Sequence, residues 1–100
     1  MKSNLKGRNN EMMYEYMTLG DGTEIVHSHI IEEGETRKIL VHFERPAPGG
    51  FDDARCELPS YRWIEKKGFS EDEIALFTKL LESNAHLIYR YAADGGVKIA

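Results

Sequence analysis

The segment from Phe69 to Gly96 constrains the chain most, because it carries the start, period and stop signals of one long helix. Ser70 can cap the first turn and Glu73 can reach back to the cap's own N–H, while Phe69 and Ile74 flank the cap as a hydrophobic staple. Glu71, Asp72 and Glu73 put negative charge on the positive end of the helix dipole. Ile74, Phe77, Leu81, Ile88 and Tyr91 fall in one stripe at helical spacing, with Asn84 inside it. Gly95 and Gly96 allow a left-handed C-cap, onto which Val97 can fold back. About 24 residues at roughly 1.5 Å rise give roughly 36 Å of helix. A second apolar row, Leu76, Leu80 and Leu87, makes the apolar arc wider than one flat sheet covers, so a further cover is expected.

Upstream the pattern is that of strands. Met12–Leu19 and Thr23–Glu32 flank Gly20-Asp21-Gly22, which reads as a hairpin with a three-residue loop and Gly22 left-handed. That loop pairs Met17 with Ile25, Glu15 with His27 and Met13 with His29. A second turn at Glu33-Gly34 leads into Thr36–Arg45 and pairs Ile30 with Arg37, Ser28 with Ile39 and Val26 with Val41. Tyr14, Tyr16, Val26, Ser28, Ile30, Ile39, Val41 and Phe43 then share the expected core face. Arg45–Phe51 is a loop by its prolines and glycines, and Asp53–Leu58 is a short fourth strand with Ala54, Cys56 and Leu58 on one side. Ser60–Lys67 is expected to form a helical turn whose Trp63 and Ile64 cover the second leucine row. The architecture that follows is α+β: a four-stranded antiparallel β-meander with one long C-terminal helix packed on one face.

A chain of 100 residues, 41% hydrophobic and 30% charged, suits one soluble domain with a single core. Residues 1–10 carry Lys2, Lys6 and Arg8 with no acid and read as a disordered basic tail, which leaves residues 11–100 as the domain. Against a formal charge of −4 for the whole chain, that body stands at −7, and Glu11–Thr36 holds seven acids without a Lys or Arg. Such a body disfavours direct binding to a nucleic-acid backbone, which needs clustered cations. No apolar run approaches the length of a membrane span, so no membrane partner is expected and the cytoplasm is the default location. Cys56 is the single cysteine and fits a reducing compartment. Gly49-Gly50 lacks a following Lys or Ser and adjoins Asp52 and Asp53, which disfavours a phosphate cradle.

The second face of the expected sheet gathers Glu15, His27, His29 and His42 among Met13, Met17, Ile25, Ile31 and Leu40. A His-x-His pair on a strand points both rings one way, about 6 to 7 Å apart, and a carboxylate such as Glu15 can complete a zinc or iron site with His27 and His29. The alternative is a half-buried polar stripe that needs no cofactor. Met13, Met17, Ile25, Ile31, Leu40 and His42 together form an apolar patch that a lone solvated domain does not require, and they mark the expected partner-binding surface. A second copy of the chain or a heterologous protein is its expected occupant. Cys56 alternates with Ala54 and Leu58 and reads as a small core hydrophobe. Asn84 reads as a buried amide answered by the sheet, with Ser28 one candidate, and His86 lies on a solvated face.

At Arg55-Cys56-Glu57-Leu58-Pro59-Ser60-Tyr61-Arg62-Trp63 and Ser83-Asn84-Ala85-His86-Leu87-Ile88, with Tyr91-Ala92 and Gly95-Gly96 following, the chain resembles a group of small bacterial proteins of uncharacterised activity carried by phages and other mobile elements. The resemblance implies a setting and no catalytic residue. By analogy with small acidic mobile-element proteins, a non-enzymatic protein-binding module is expected, such as an inhibitor of a host nucleic-acid-handling defence protein. A metal-dependent enzyme using the His/Glu cluster is the alternative.

Overall fold

The computed structural model describes residues 13–95. The basic tail over residues 1–10 and the contact expected of Val97 lie outside the described residues. Six strands precede one helix: β1 Met13–Thr18, β2 Glu24–Ser28, β3 Ile31–Glu33, β4 Thr36–Ala47, β5 Gly50–Leu58, β6 Arg62–Lys67 and α1 Glu71–Asp94. They form one antiparallel sheet in the order β1-β2-β4-β5-β6, with β3 pairing the start of β4. The α+β class is as expected, but the strand count is six. No helix among the described residues is long and apolar enough to cross a membrane.

Helix α1 follows its sequence signals closely. The Ser70 side chain accepts from the Glu73 N–H at 3.1 Å, and the Ser70 N–H donates to the Glu73 carboxylate at 2.9 Å. Gly95 closes the other end with φ 87°, its N–H donating to the Tyr91 carbonyl. Ile74, Phe77, Leu81, Ile88 and Ala92 are buried against Ile25, Ile39, Val41, Phe43, Ala54, Cys56 and Leu58 of the sheet. At the centre the Phe77 ring stacks on Phe43, with centroids 4.3 Å apart and planes 12° from parallel. Burying side chains of this size stabilises by about 1.5–3 kcal/mol each.

Two segments differ in kind from the sequence reading. The Pro/Gly-rich stretch 45–51 is strand and tight turn, for Pro46 faces Phe51 and Ala47 faces Gly50 across the β4–β5 hairpin. Pro46 interrupts no ladder that the core needs, because it sits at the far end of the hairpin. Residues 62–67 are strand β6 and not a helical turn. Tyr61 adopts φ 61° and donates its N–H to Glu57 at 2.7 Å, which reverses the chain and leaves Arg62–Lys67 alongside β5. Trp63 consequently reaches α1 from the sheet side, with its indole N–H donating to Thr78 at 3.1 Å. The second leucine row gains no full cover: Leu80 packs against the core, while Leu76 is 61% exposed.

The register also differs, by one residue. The first hairpin begins as expected, with Met17 opposite Ile25 and Gly22 at φ 91°. A bulge between Glu15 and Met17 then shifts the pairing, so that Glu15 faces Val26 and Tyr14 faces His27. Between β2 and β4 the pairs are Ile25–Phe43, Val26–His42 and His27–Val41. Ile25 and His27 therefore enter the core and Val26 turns to the other face, the reverse of the alternation expected from Val26 and Ser28. The cause is local. The β3–β4 turn is only Gly34-Glu35, and the chain bulges at His29-Ile30, where the Leu40 N–H donates to the Ser28 hydroxyl at 3.0 Å in place of a ladder carbonyl.

Asn84 is the half-buried amide of the stripe, but Tyr16 answers it and not Ser28: the Tyr16 hydroxyl donates to Asn84 Oδ1, and Asn84 Nδ2 donates to the Leu80 carbonyl at 2.8 Å. Asn84→Leu alone is expected to cost about 1–2 kcal/mol through the stranded hydroxyl, and to cost near zero in a Tyr16→Phe background. Urea melts of the four proteins of that cycle measure the coupling. Phe77→Ala is expected to cost about 3–5 kcal/mol in the same assay, and a loss near zero would mean that the stripe does not carry the core.

Candidate functional site

The register distributes the histidines and their neighbours to three places. His27 is fully buried on the helix side, between Tyr14 with ring centroids 5.6 Å apart and Tyr16 at 6.3 Å. Its Nδ1–H donates to the Ser28 carbonyl at 2.8 Å, and its Nε2 has no partner among the described residues. Burial pulls the imidazole below its ordinary pKa, only partly opposed by the bond to Ser28. His29 is exposed at the bulge, and Glu15 lies on the open face. The expected trio of His27, His29 and Glu15 is thus not brought together, because the bulges at Tyr16 and His29 turn its members to different sides of the sheet.

The expected partner surface is also divided. Ile25 is 1% exposed and belongs to the core. Met17 pairs with it on the helix side of the β1 bulge, at the sheet margin, and remains 38% exposed. Met13, Ile31, Leu40 and His42 lie on the open face by register and are half-buried. Ile25, expected at its centre, is absent from that face, and Val26 stands on it beside His42 instead.

Polar rows run across the open face instead. Partners in an antiparallel ladder share a face, so one row reads Glu24, Glu44, Asp53, Lys67 and the next Glu15, Val26, His42, Arg55, Glu65. Arg55 donates to Asp53 at 2.9 Å, and Lys38 bridges Glu33 and Glu57 at 3.2 and 3.4 Å. His42, Glu44 and Asp53 each bring one donor atom within 4.8 Å of the others, and all three are half-buried. They are the metal-compatible group among the described residues. Sequence reading placed His42 on this face but missed Glu44 and Asp53, because only the β4–β5 ladder brings them beside it.

Burial is the main force on the His42 imidazole, holding its pKa down to about 4. The Arg55 cation adds to that and the Asp53 carboxylate opposes it. Cys56 is buried beneath the helix and its thiol is pushed up to about 12, so it supplies no thiolate at neutral pH. Arg55 and Asp53 form an ion pair beside His42, and Glu44 and Val26 complete its surroundings.

The third place is the margin along β1, the terminal strand of the described sheet. A hollow of about 430 Å³ runs there, lined by Met13, Tyr14, Tyr16 and Met17 together with Glu15 and Glu24. No Lys or Arg occurs from Met13 to Thr36, so its electrostatic character is acidic.

Comparison with protein-family models, with curated proteins and with solved structures found no match. The functional reading therefore rests on these surfaces.

Because the unfolded His42 keeps its ordinary pKa of 6.5 and the folded one titrates near 4, the unfolded chain binds the extra proton between those values. Stability then rises with pH across that window and falls on acidification through it. His42→Gln is expected to flatten the slope of unfolding free energy between about pH 6.5 and about pH 4, measured by urea melts; an unchanged slope would place the titration elsewhere.

Proposed function

We propose that this chain is a small non-enzymatic protein-binding module whose acidic β1 margin takes up a basic, extended segment of another protein. The observation that carries this reading is the hollow along β1, which exposed Met17 and half-buried Met13, Tyr14 and Tyr16 line together with Glu15 and Glu24. Thioether and aromatic side chains supply adaptable apolar contact, and the terminal strand offers backbone groups for an added strand. The acids select the sign of the partner and steer its approach. A basic surface of that kind is found on proteins that handle nucleic acids, which makes inhibition by occupying such a surface the biological role proposed here. Of the two partners expected from sequence, the heterologous one is favoured. Two β1 edges paired about a two-fold axis would bring the Glu15 carboxylates of the two copies toward each other with no Lys or Arg on β1 or β2 to answer them, and like charges so placed oppose pairing.

Selection of displayed random peptides on the immobilised protein tests the reading. Enrichment of Lys/Arg-bearing peptides with alternating apolar residues is expected, with binding weakened at least about tenfold by Met17→Glu and by a Glu15→Lys, Glu24→Lys double variant. Peptides without a basic bias, or binding indifferent to both variants, would overturn it. Dimers of the protein itself that persist at micromolar concentration and are dissociated by Met17→Glu would assign the margin to self-association instead.

A further inference from the structure

We propose that His42, Glu44 and Asp53 form a binding site for a divalent transition-metal ion on the open face of the sheet. Their three donor atoms already lie within 4.8 Å of one another. An ion held at about 2.0–2.2 Å by nitrogen and oxygen ligands keeps its donors about 3–3.5 Å apart. The difference is on the scale of one side-chain rotation, and the β4–β5 ladder fixes the three backbones meanwhile. Glu44 stands directly opposite Asp53, and His42 is two residues along β4 on the same face.

The charge pattern points the same way. Glu24 is opposite Glu44 and Glu44 is opposite Asp53, so three carboxylates follow one another across β2, β4 and β5. Like charges directly opposite destabilise a sheet, and a cation between them reverses the sign of that interaction. Arg55, opposite His42 and paired with Asp53, and Lys67, opposite Asp53, are the cations that the register places near this group. Arg55 is therefore the competitor: an ion must draw Asp53 away from a guanidinium that now holds it at 2.9 Å. The donor set decides the class of ion. One imidazole with two carboxylates suits zinc, manganese or iron(II), whereas calcium and magnesium sites are built from oxygen alone. An ion held there would tie β4 to β5, neutralise the acidic row and keep its remaining coordination positions toward solvent.

Titration of the purified full chain with zinc chloride and with manganese chloride near neutral pH, followed by calorimetry, tests the site. Saturable binding of one ion per chain is expected for one of the two metals at micromolar concentration, with calcium chloride much weaker. His42→Gln and Glu44→Gln should each weaken it at least about tenfold. His29→Gln and His86→Gln should leave it unchanged. Arg55→Gln should tighten binding severalfold by freeing Asp53, a gain that chance coordination by surface histidines would not give. Thermal melts without metal establish that each variant is folded. Absence of saturable binding to the wild-type chain, or binding that survives both His42→Gln and Glu44→Gln, would overturn the proposal.

Discussion

Arg45 holds the helix to the sheet, and much of the remaining geometry depends on it. It stands at the end of the core-facing residues of β4, opposite Asp52, and donates Nε–H to that carboxylate at 2.9 Å and Nη1–H to Glu73 at 2.6 Å. The same guanidinium reaches Asp21 in the β1–β2 turn at 3.3 Å and lies over the Phe69 ring at 4.4 Å. One cation thus joins the first hairpin, two central strands and the first turn of α1. Glu73 serves twice, since one oxygen completes the cap of the helix and the other binds Arg45. Three carboxylates against one guanidinium leave a negative surplus, which the helix N-terminus and the Thr23 N–H on Asp21 partly answer. Arg45 foremost holds the Glu73 carboxyl below its ordinary pKa, and the Thr23 contacts do the same for Asp21.

The joint also explains a glycine. Gly68 adopts φ 85°, and a Cβ built on it would fall 2.0 Å from Asp52 Oδ1. Only bare backbone at that position lets Asp52 stand where Arg45 needs it, and the Gly68 carbonyl itself accepts from Arg45 at 3.4 Å. Gly68 lies just ahead of the helix cap, where a glycine also breaks the chain, and the close approach of Asp52 is a second reason for it that only the fold reveals.

What was legible in the sequence is what local chemistry determines. The helix was, because cap, staple, stripe and stop lie within a few residues of the groups they satisfy, and each appears at its place from Ser70 to Gly95. The first turn was, for the same reason. The sheet register was not, because it depends on parity: each bulge adds one residue, and one residue exchanges the two faces. The bulges at Tyr16 and at His29-Ile30 are satisfied by partners distant in sequence, Asn84 for Tyr16 and Leu40 for Ser28, and a third bulge lies within β6. In Ile25-Val26-His27-Ser28-His29-Ile30 both alternations hold apolar residues, so composition alone does not choose. The choice is made by the bulge at His29-Ile30, which sets Ile25 and His27, and not Val26 and Ser28, beside the buried Phe43 and Val41.

That choice sets the chemistry of both faces. Admitting His27 to the core leaves its Nε2 without a partner among the described residues, a cost that an apolar side chain would avoid. It is limited because the ring keeps its proton on Nδ1 toward the Ser28 carbonyl and is flanked by Tyr14 and Tyr16, so the orphaned atom is an acceptor without charge. The same slip carries Val26 outward beside His42, clearing the open face of its expected apolar centre and setting Glu24, Glu44 and Asp53 in one row. A buried histidine and an acidic sheet face are thus two results of one register, and the surfaces on which function depends follow from where the core closes.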